Sequence, residues 1–302
     1  MARSNAAGQA IRSVMQDRKP LVTIPPSHND GWVPRRRSDT LFFLVMSGIS
    51  SCFVLLIVLL LAADILFTTP RNFYDALSKP EIRAAIRLTV LSCSAAAILS
   101  VWVGTPLGYL LSRYSFRGRW IVDTLVDIPI VLPPLVLGLS LLILFHQPIF
   151  GLQLESTFRD SFGIPIAYSW RAIVLAQFAV ACAFSVRTMR VTFDQMNPRA
   201  EEVARTLGCT RGQAFLQIAL PQARRGIVTA FTIAWARALG EFGPILVFAG
   251  TTRMRTEVLS TSVFLELSTG NLDAAVAVSL MMVILAVAVL LVLRIFGAGL
   301  NT

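Results

Sequence analysis

Apolar residues run almost without a charge over about 41–67, 86–111, 121–145, 164–186, 226–250 and 273–296. Crossing a hydrocarbon layer of roughly 30 Å takes about 20 helical residues. Each run is long enough, or nearly so, and the spacing predicts six membrane-spanning helices. The backbone has no water to bond inside lipid, so a chain with such runs must satisfy its own N–H and C=O groups as helices. The fourth run is the least regular, because Tyr168, Ser169 and Arg171 interrupt it and the clean stretch spans only 172–186. The second and third carry Pro106, Pro129, Pro133 and Pro134, each of which removes a helical hydrogen bond. Those two spans are expected to kink and to pack inside a bundle.

Of the 302 residues 55 % are hydrophobic and 15 % charged, and the net charge is +10. Lys19 and Lys79 are the lysines, so the basic excess is arginine. It clusters in the N-terminal tail, at Arg113, Arg117 and Arg119, and over 187–225, which holds Arg187, Arg190, Arg199, Arg205, Arg211, Arg224 and Arg225. The other side has a scattering: Arg71, Lys79, Arg159, Arg253 and Arg255. Positive charge collects on cytoplasmic flanks. Both termini are therefore expected in the cytoplasm, and the charge reads as topological and not as a nucleic-acid surface, since no basic stripe is interleaved with aromatics. Residues 1–39 lack apolar periodicity and carry Pro25 and Pro26, which suits a disordered tail. No apolar segment of signal-peptide type precedes the first span. Residues 40–302 are expected to form the membrane domain.

Catalytic chemistry has little to stand on. His28 and His146 are far apart, and Cys52, Cys93, Cys182 and Cys209 form no Cys-x-x-Cys pair and are read as packing residues. No lysine follows a glycine, so there is no phosphate-binding loop. The expectation is no catalytic residue, no metal and no cofactor bound by this chain.

The segment "EEVARTLGCTRGQAFLQIALP", residues 201–221, is unusually polar for this chain. Asn197 can cap a helix opening at Pro198, with Glu201 and Glu202 in its early turns. That helix should run to about Leu207 and break at Gly208. Thr210 can cap a second through about Ile218, and Pro221 opens the next span. Val203 and Leu207 would share one face, Phe215 and Ile218 another. Such a hinged pair either fits a partner's groove or lies on the membrane surface.

Its spacing resembles the EAA motif of ABC importer permeases: Glu202, Val203 and Ala204, then Gly208, Ile218, Leu220 and Pro221, with Val203 standing for the usual first alanine. The resemblance extends over about 84–297. Asp127, Pro129, Leu132, Pro133, Pro134, Val136 and Gly138 are similar to a run of molybdate permeases. "ARALGEFGPILVFAG", residues 236–250, resembles a span of molybdate, tungstate and sulfate permeases, although Pro244 stands where a small residue is more usual. "GNLDAAVAVSLMMV", residues 270–283, is similar to the segment entering their last span. The resemblance implies an all-α integral membrane protein with the six-helix type I ABC importer fold. It implies further that the loop of about 187–225 docks on a separate ATPase subunit, which uses ATP and Mg, through Glu202, Val203, Ala204, Gly208, Phe215, Ile218, Leu220 and Pro221. A periplasmic oxyanion-binding protein and a second copy of the permease are the other implied partners, in the cell inner membrane. Molybdate or tungstate is the implied cargo, sulfate the alternative. A self-sufficient transporter or channel is the reading of a different class, and it would not need this loop.

Arg237 and Glu241, four residues apart in an apolar span, can pair. A charge there normally faces the bundle interior or a water-filled cavity, so the pair either fastens helices or lines the path. Ser140, Ser279 and the backbone near Pro133 and Pro134 are the other candidates for lining it.

Overall fold

A computed structural model describes residues 36–148, 153–163 and 165–299, all helical or irregular with no strand among them. The tail expected over 1–39 lies almost wholly outside the described residues, as does His28. By its contacts the chain divides after Leu59. Up to that point the structure shows the first part of α1 (Arg36–Phe67), whose side chains from 40 to 60 are all exposed. A helix apolar all round presents no polar face, and lipid is the solvent that suits it.

The rest holds α2 (Pro70–Ser78), α3 (Pro80–Arg113), α4 (Arg119–Val131), α5 (Pro134–His146), α6 (Leu154–Phe162) and α7 (Trp170–Gln195). Then come α8 (Arg199–Thr206), α9 (Arg211–Ala214), a π turn over Phe215–Ala219, α10 (Leu220–Gln222), α11 (Arg224–Leu239), α12 (Gly243–Phe248), α13 (Leu259–Ser268) and α14 (Leu272–Gly299). Within the described residues α1, α3, α7 and α14 are each long and apolar enough to cross a membrane.

The other two expected spans are not straight crossings. The third breaks into α4 and α5, bent by 114°. Pro133 forces Leu132 out of the helical region, to φ −62° and ψ 134°, and Pro134 then starts the new helix at its first position. The fifth breaks at residues 240–242, leaving α11 with 16 residues, about 24 Å and short of a full crossing. Pro244 sits in the first turn of α12, where its missing N–H costs nothing. Pro106, by contrast, is absorbed inside an unbroken α3. The fourth span is also shifted. Ser169 caps α7, accepting from the Arg171 N–H at 3.2 Å, and the helix runs on to Gln195, so the connecting loop starts at Met196 and not at 187.

The broken helices fit together closely. A Cβ on Gly138 would stand 2.8 Å from the Pro244 Cα, and one on Gly243 would stand 2.9 Å from the Pro134 Cβ. Both distances are shorter than carbon atoms tolerate, so glycine is what lets each restart pack on the other's proline. Pro244, unexpected from the sequence, belongs to this contact. At Gly240, in the break itself, a Cβ would meet nothing nearer than 3.8 Å.

Small residues also join α3, α7 and α11, where Cys93, Ala96, Ala97, Ala181, Ala234 and Ala238 are buried around Trp235. With lipid as apolar as a leucine side chain, close backbone approach drives this association more than hydrophobicity. Trp235 spends its indole N–H on Ser94 Oγ at 3.3 Å, and Gln177 donates to the Ala238 carbonyl at 3.2 Å. The four cysteines are free, Cys93 within this core and Cys52 exposed.

Candidate functional site

The loop between α7 and α11 is built on the caps its sequence suggests. Asn197 Oδ1 accepts from the Arg199 N–H at 3.0 Å at the start of α8. The helix closes with Gly208 at φ +96°, its N–H donating to the Arg205 carbonyl while the Cys209 N–H reaches back to the Ala204 carbonyl at 3.0 Å. This paired closure is the glycine C-cap of the Schellman type. Nothing lies within 4 Å of the place a Gly208 Cβ would take, so any cost of a side chain there is backbone strain and not a clash. Thr210 then opens α9. Its hydroxyl accepts from the Gln213 N–H at 3.3 Å, and Gln213 Oε1 accepts from the Thr210 N–H at 2.8 Å.

The two faces differ from a simple pair of apolar stripes. Val203 is 57 % and Leu207 81 % exposed, and Leu216, which the sequence reading passed over, is 61 % exposed. Phe215 points inward, its ring 4.6 Å from that of Tyr109 and 6.5 Å from that of Phe193. Ala204 and Ala214 are buried, Ile218 and Leu220 half-buried, and Pro221 exposed within α10, two residues before the break that precedes α11. Glu202 is exposed.

Its neighbour Glu201 is 8 % exposed. Tyr109 donates to Glu201 Oε2 at 2.7 Å, and Arg113 Nε donates to Oε1 at 3.1 Å. Arg113 also reaches the Met196 carbonyl at 3.1 Å. One buried carboxylate thus ties α8 to the last turn of α3, and Arg113 ties both to the end of α7. Sequence reasoning missed this brace. The available signal was Tyr109 and Arg113 four residues apart on one helix face, beside a Glu-Glu pair that a short helix cannot turn wholly outward.

In the bundle, Arg237 Nη1 lies 2.6 Å from Glu241 Oε1. The carboxylate side chain is 1 % exposed and the arginine 33 %, its guanidinium 5.7 Å from the centre of the Phe184 ring. Glu241 falls in the break between α11 and α12, and its freed carbonyl accepts from Ser260 Oγ at 2.8 Å. The structure does not gather the other lining candidates around this pair. Pro133 and Pro134 are exposed at the bend, Ser140 is exposed on α5, and Ser279 is half-buried on α14.

Long apolar helices, two further spans that are broken, one of them at the buried Glu241, and a braced pair of helices on a connecting loop define a polytopic membrane permease. The chain belongs to the family described as "Binding-protein-dependent transport system inner membrane component", whose model matches residues 104–301. It is 34 % identical over 257 residues to the sulfate transport system permease protein CysT of Salmonella typhimurium, covering 84 % of this chain and 91 % of that one. To the molybdenum transport system permease protein ModB of Mycobacterium bovis it is 35 % identical over 245 residues, 80 % and 88 % of the two chains. The fold matches a chain in the crystal structure of a bacterial ABC transporter involved in the import of the acidic polysaccharide alginate, with a TM-score of 0.66 at 18 % identity, covering 88 % of this chain and 98 % of that one.

Proposed function

We propose that this chain is the translocating subunit of an ATP-driven importer for a tetrahedral oxyanion, molybdate or tungstate in the first reading. Two copies surround the path. A separate ATPase, which hydrolyses ATP with Mg as its cofactor, docks on the loop of 196–223, and an extracytoplasmic binding protein delivers the anion. The observation that carries this reading is the loop itself: Val203, Leu207 and Leu216 stand outward on short helices hinged at Gly208, and Glu201 ties those helices to a long membrane helix. A push on such a peg reaches the bundle. Sulfate is the second reading, favoured by the 34 % identity to the sulfate permease.

The test is uptake by vesicles holding the chain with its ATPase and its capture protein, offered molybdate, tungstate and sulfate with and without ATP. ATP-dependent uptake of one of them is expected. Uptake without ATP would favour the self-sufficient transporter. In the same vesicles Gly208→Val should lower uptake about tenfold, since a β-branched side chain at positive φ costs at least 1–2 kcal/mol. Unchanged uptake and ATPase binding in that variant would remove the hinge from the mechanism.

The loop and both termini face the cytoplasm in this reading, by the placement of arginine. A cysteine at Gln213, exposed on α9, is expected to react with an impermeant maleimide only after the cells are opened. Labelling of intact cells at that position would reverse the topology.

A further inference from the structure

Arg187 and Asp127, 60 residues apart in sequence, meet as a fork: Arg187 Nε lies 2.9 Å from Asp127 Oδ1 and its Nη2 donates to Oδ2 at 3.0 Å. The side chains are 60 % and 38 % exposed. From Arg119 at the start of α4, eight residues place Asp127 about 12 Å along the helix, and from Arg224 thirteen residues place Arg237 about 20 Å along α11. Both starts are at the loop end. Arg237 rests over Phe184, and Arg187 follows Phe184 by three residues, on the same face of α7 one turn nearer the loop. Two arginines, each tied to a carboxylate, are thus stacked along one helix from mid-bundle outward. An exposed ion pair at that depth is costly in lipid and suits a water-filled passage.

Beyond Arg187 a groove of about 560 Å³ opens between the end of α7 and the start of α11, lined by Arg187, Thr188, Thr192, Gln195, Arg225 and Thr229 among others. Among the described residues no carboxylate is in its lining. The three threonine hydroxyls donate to backbone carbonyls one turn back, so the donors for a ligand are the Arg187 guanidinium and the amides of Gln195 and Gln222. That is a lining for an anion.

We propose that this groove is the exit site of the transported oxyanion, with Arg187 the station between Arg237 and the cytoplasm. The inference rests on the oxyanion reading above. Asp127 keeps the station weak: a bare arginine would hold a dianion, whereas a forked carboxylate competes for the same N–H groups and closes behind the departing ion.

The experiment uses the reconstituted complex and measures anion imported per ATP hydrolysed. Arg187→Gln is expected to lower that ratio about tenfold, the worth of one charge-assisted hydrogen bond, and Arg187→Lys to lower it less. Asp127→Asn should saturate at lower anion concentration with a smaller maximal rate, because the unpaired arginine releases the ion slowly. A wild-type ratio in Arg187→Gln overturns the proposal. So does full recovery when Asp127→Arg and Arg187→Asp are combined, since a mere fastener survives reversal and an anion station does not. Should Arg187→Gln fail to assemble, Thr229→Cys in the otherwise unaltered complex supplies the reading. Molybdate, against chloride of equal ionic strength, is expected to slow its modification by an anionic thiosulfonate, and absence of protection overturns the site. A wild-type complex that imports none of the three anions brings down the oxyanion reading and this one together. Wild-type import with unaffected variants brings down this one alone.

Discussion

Glu201→Ala is expected to detach the loop from the bundle and to reduce uptake by up to about two orders of magnitude. The carboxylate accepts from Tyr109 and from Arg113, and without it Arg113 is left with the Met196 carbonyl, which carries no charge to balance the guanidinium. The side chains of Arg113 and Glu201 are 13 % and 10 % exposed. Removing one member of such a pair costs about 3 kcal/mol, the low end of the range for buried pairs because a little water still reaches both. That energy is what keeps α8 against the last turn of α3. Without it the loop can still dock on an ATPase, but its movement no longer pulls on a membrane helix. The measurement is limited trypsin digestion at Arg199 and Arg205, both exposed, followed by uptake. Faster cleavage with preserved insertion in the membrane is the expected result. Glu201→Gln should lie between, since an amide oxygen can still accept from Tyr109 but carries no charge for Arg113. Glu202→Ala, at an exposed position, should leave cleavage unchanged and act on partner binding alone. Equal cleavage and equal uptake in Glu201→Ala and wild type would show that the brace transmits nothing.

Arg237→Ala is expected to destabilise the assembled permease more than Glu241→Ala does. The asymmetry follows from burial: the arginine side chain is 33 % exposed and keeps Phe184 beneath it, whereas the carboxylate is 1 % exposed. Truncating the arginine strands a charge with no water, at a cost of about 3–5 kcal/mol. Truncating the glutamate leaves a guanidinium that can turn toward whatever water enters, so its cost is nearer the roughly 2.5–3.5 kcal/mol of an inserted charge, or below it. The double variant should recover much of the stability, since no charge is stranded. Thermal unfolding of the purified complex in detergent reads these differences, and uptake reads the function separately. A double variant that assembles but carries no anion makes the pair part of the path. One that carries anion normally makes it a fastener. Two harmless single variants would mean that neither residue is held as the structure holds it.

Each of these sites was legible to a different degree. Arg237 and Glu241 could be paired from their spacing, because an i to i+4 contact is internal to a helix and needs no neighbour. Asn197, Gly208 and Thr210 were readable for the same reason: a cap is a local exchange of hydrogen bonds, complete within five or six residues. Glu201 was not. Nothing in "EEVAR" says which glutamate turns inward, and the answer came from Tyr109 and Arg113, some ninety positions earlier on α3. Phe215 likewise shares a helical stripe with Ile218, yet the rings of Tyr109 and Phe193 draw it into the core.

Hydropathy and local chemistry by themselves determined that the chain enters a membrane, that α1, α3, α7 and α14 are long apolar helices, that a capped and hinged polar segment interrupts them, and that one charged pair lies within the bundle. Transfer into lipid and the closing of a helix end depend on composition over one or two dozen residues, and a sequence displays composition directly. Only the tertiary structure decided that the third span turns by 114° and the fifth breaks, because a proline permits a bend without saying how far it goes. In that structure the Gly138–Pro244 and Gly243–Pro134 contacts pack the two restarts against each other. It alone brought Arg187 to Asp127 as well, since an ion pair between two helices depends on how they are packed, and packing is a property of surfaces that meet after the chain has folded.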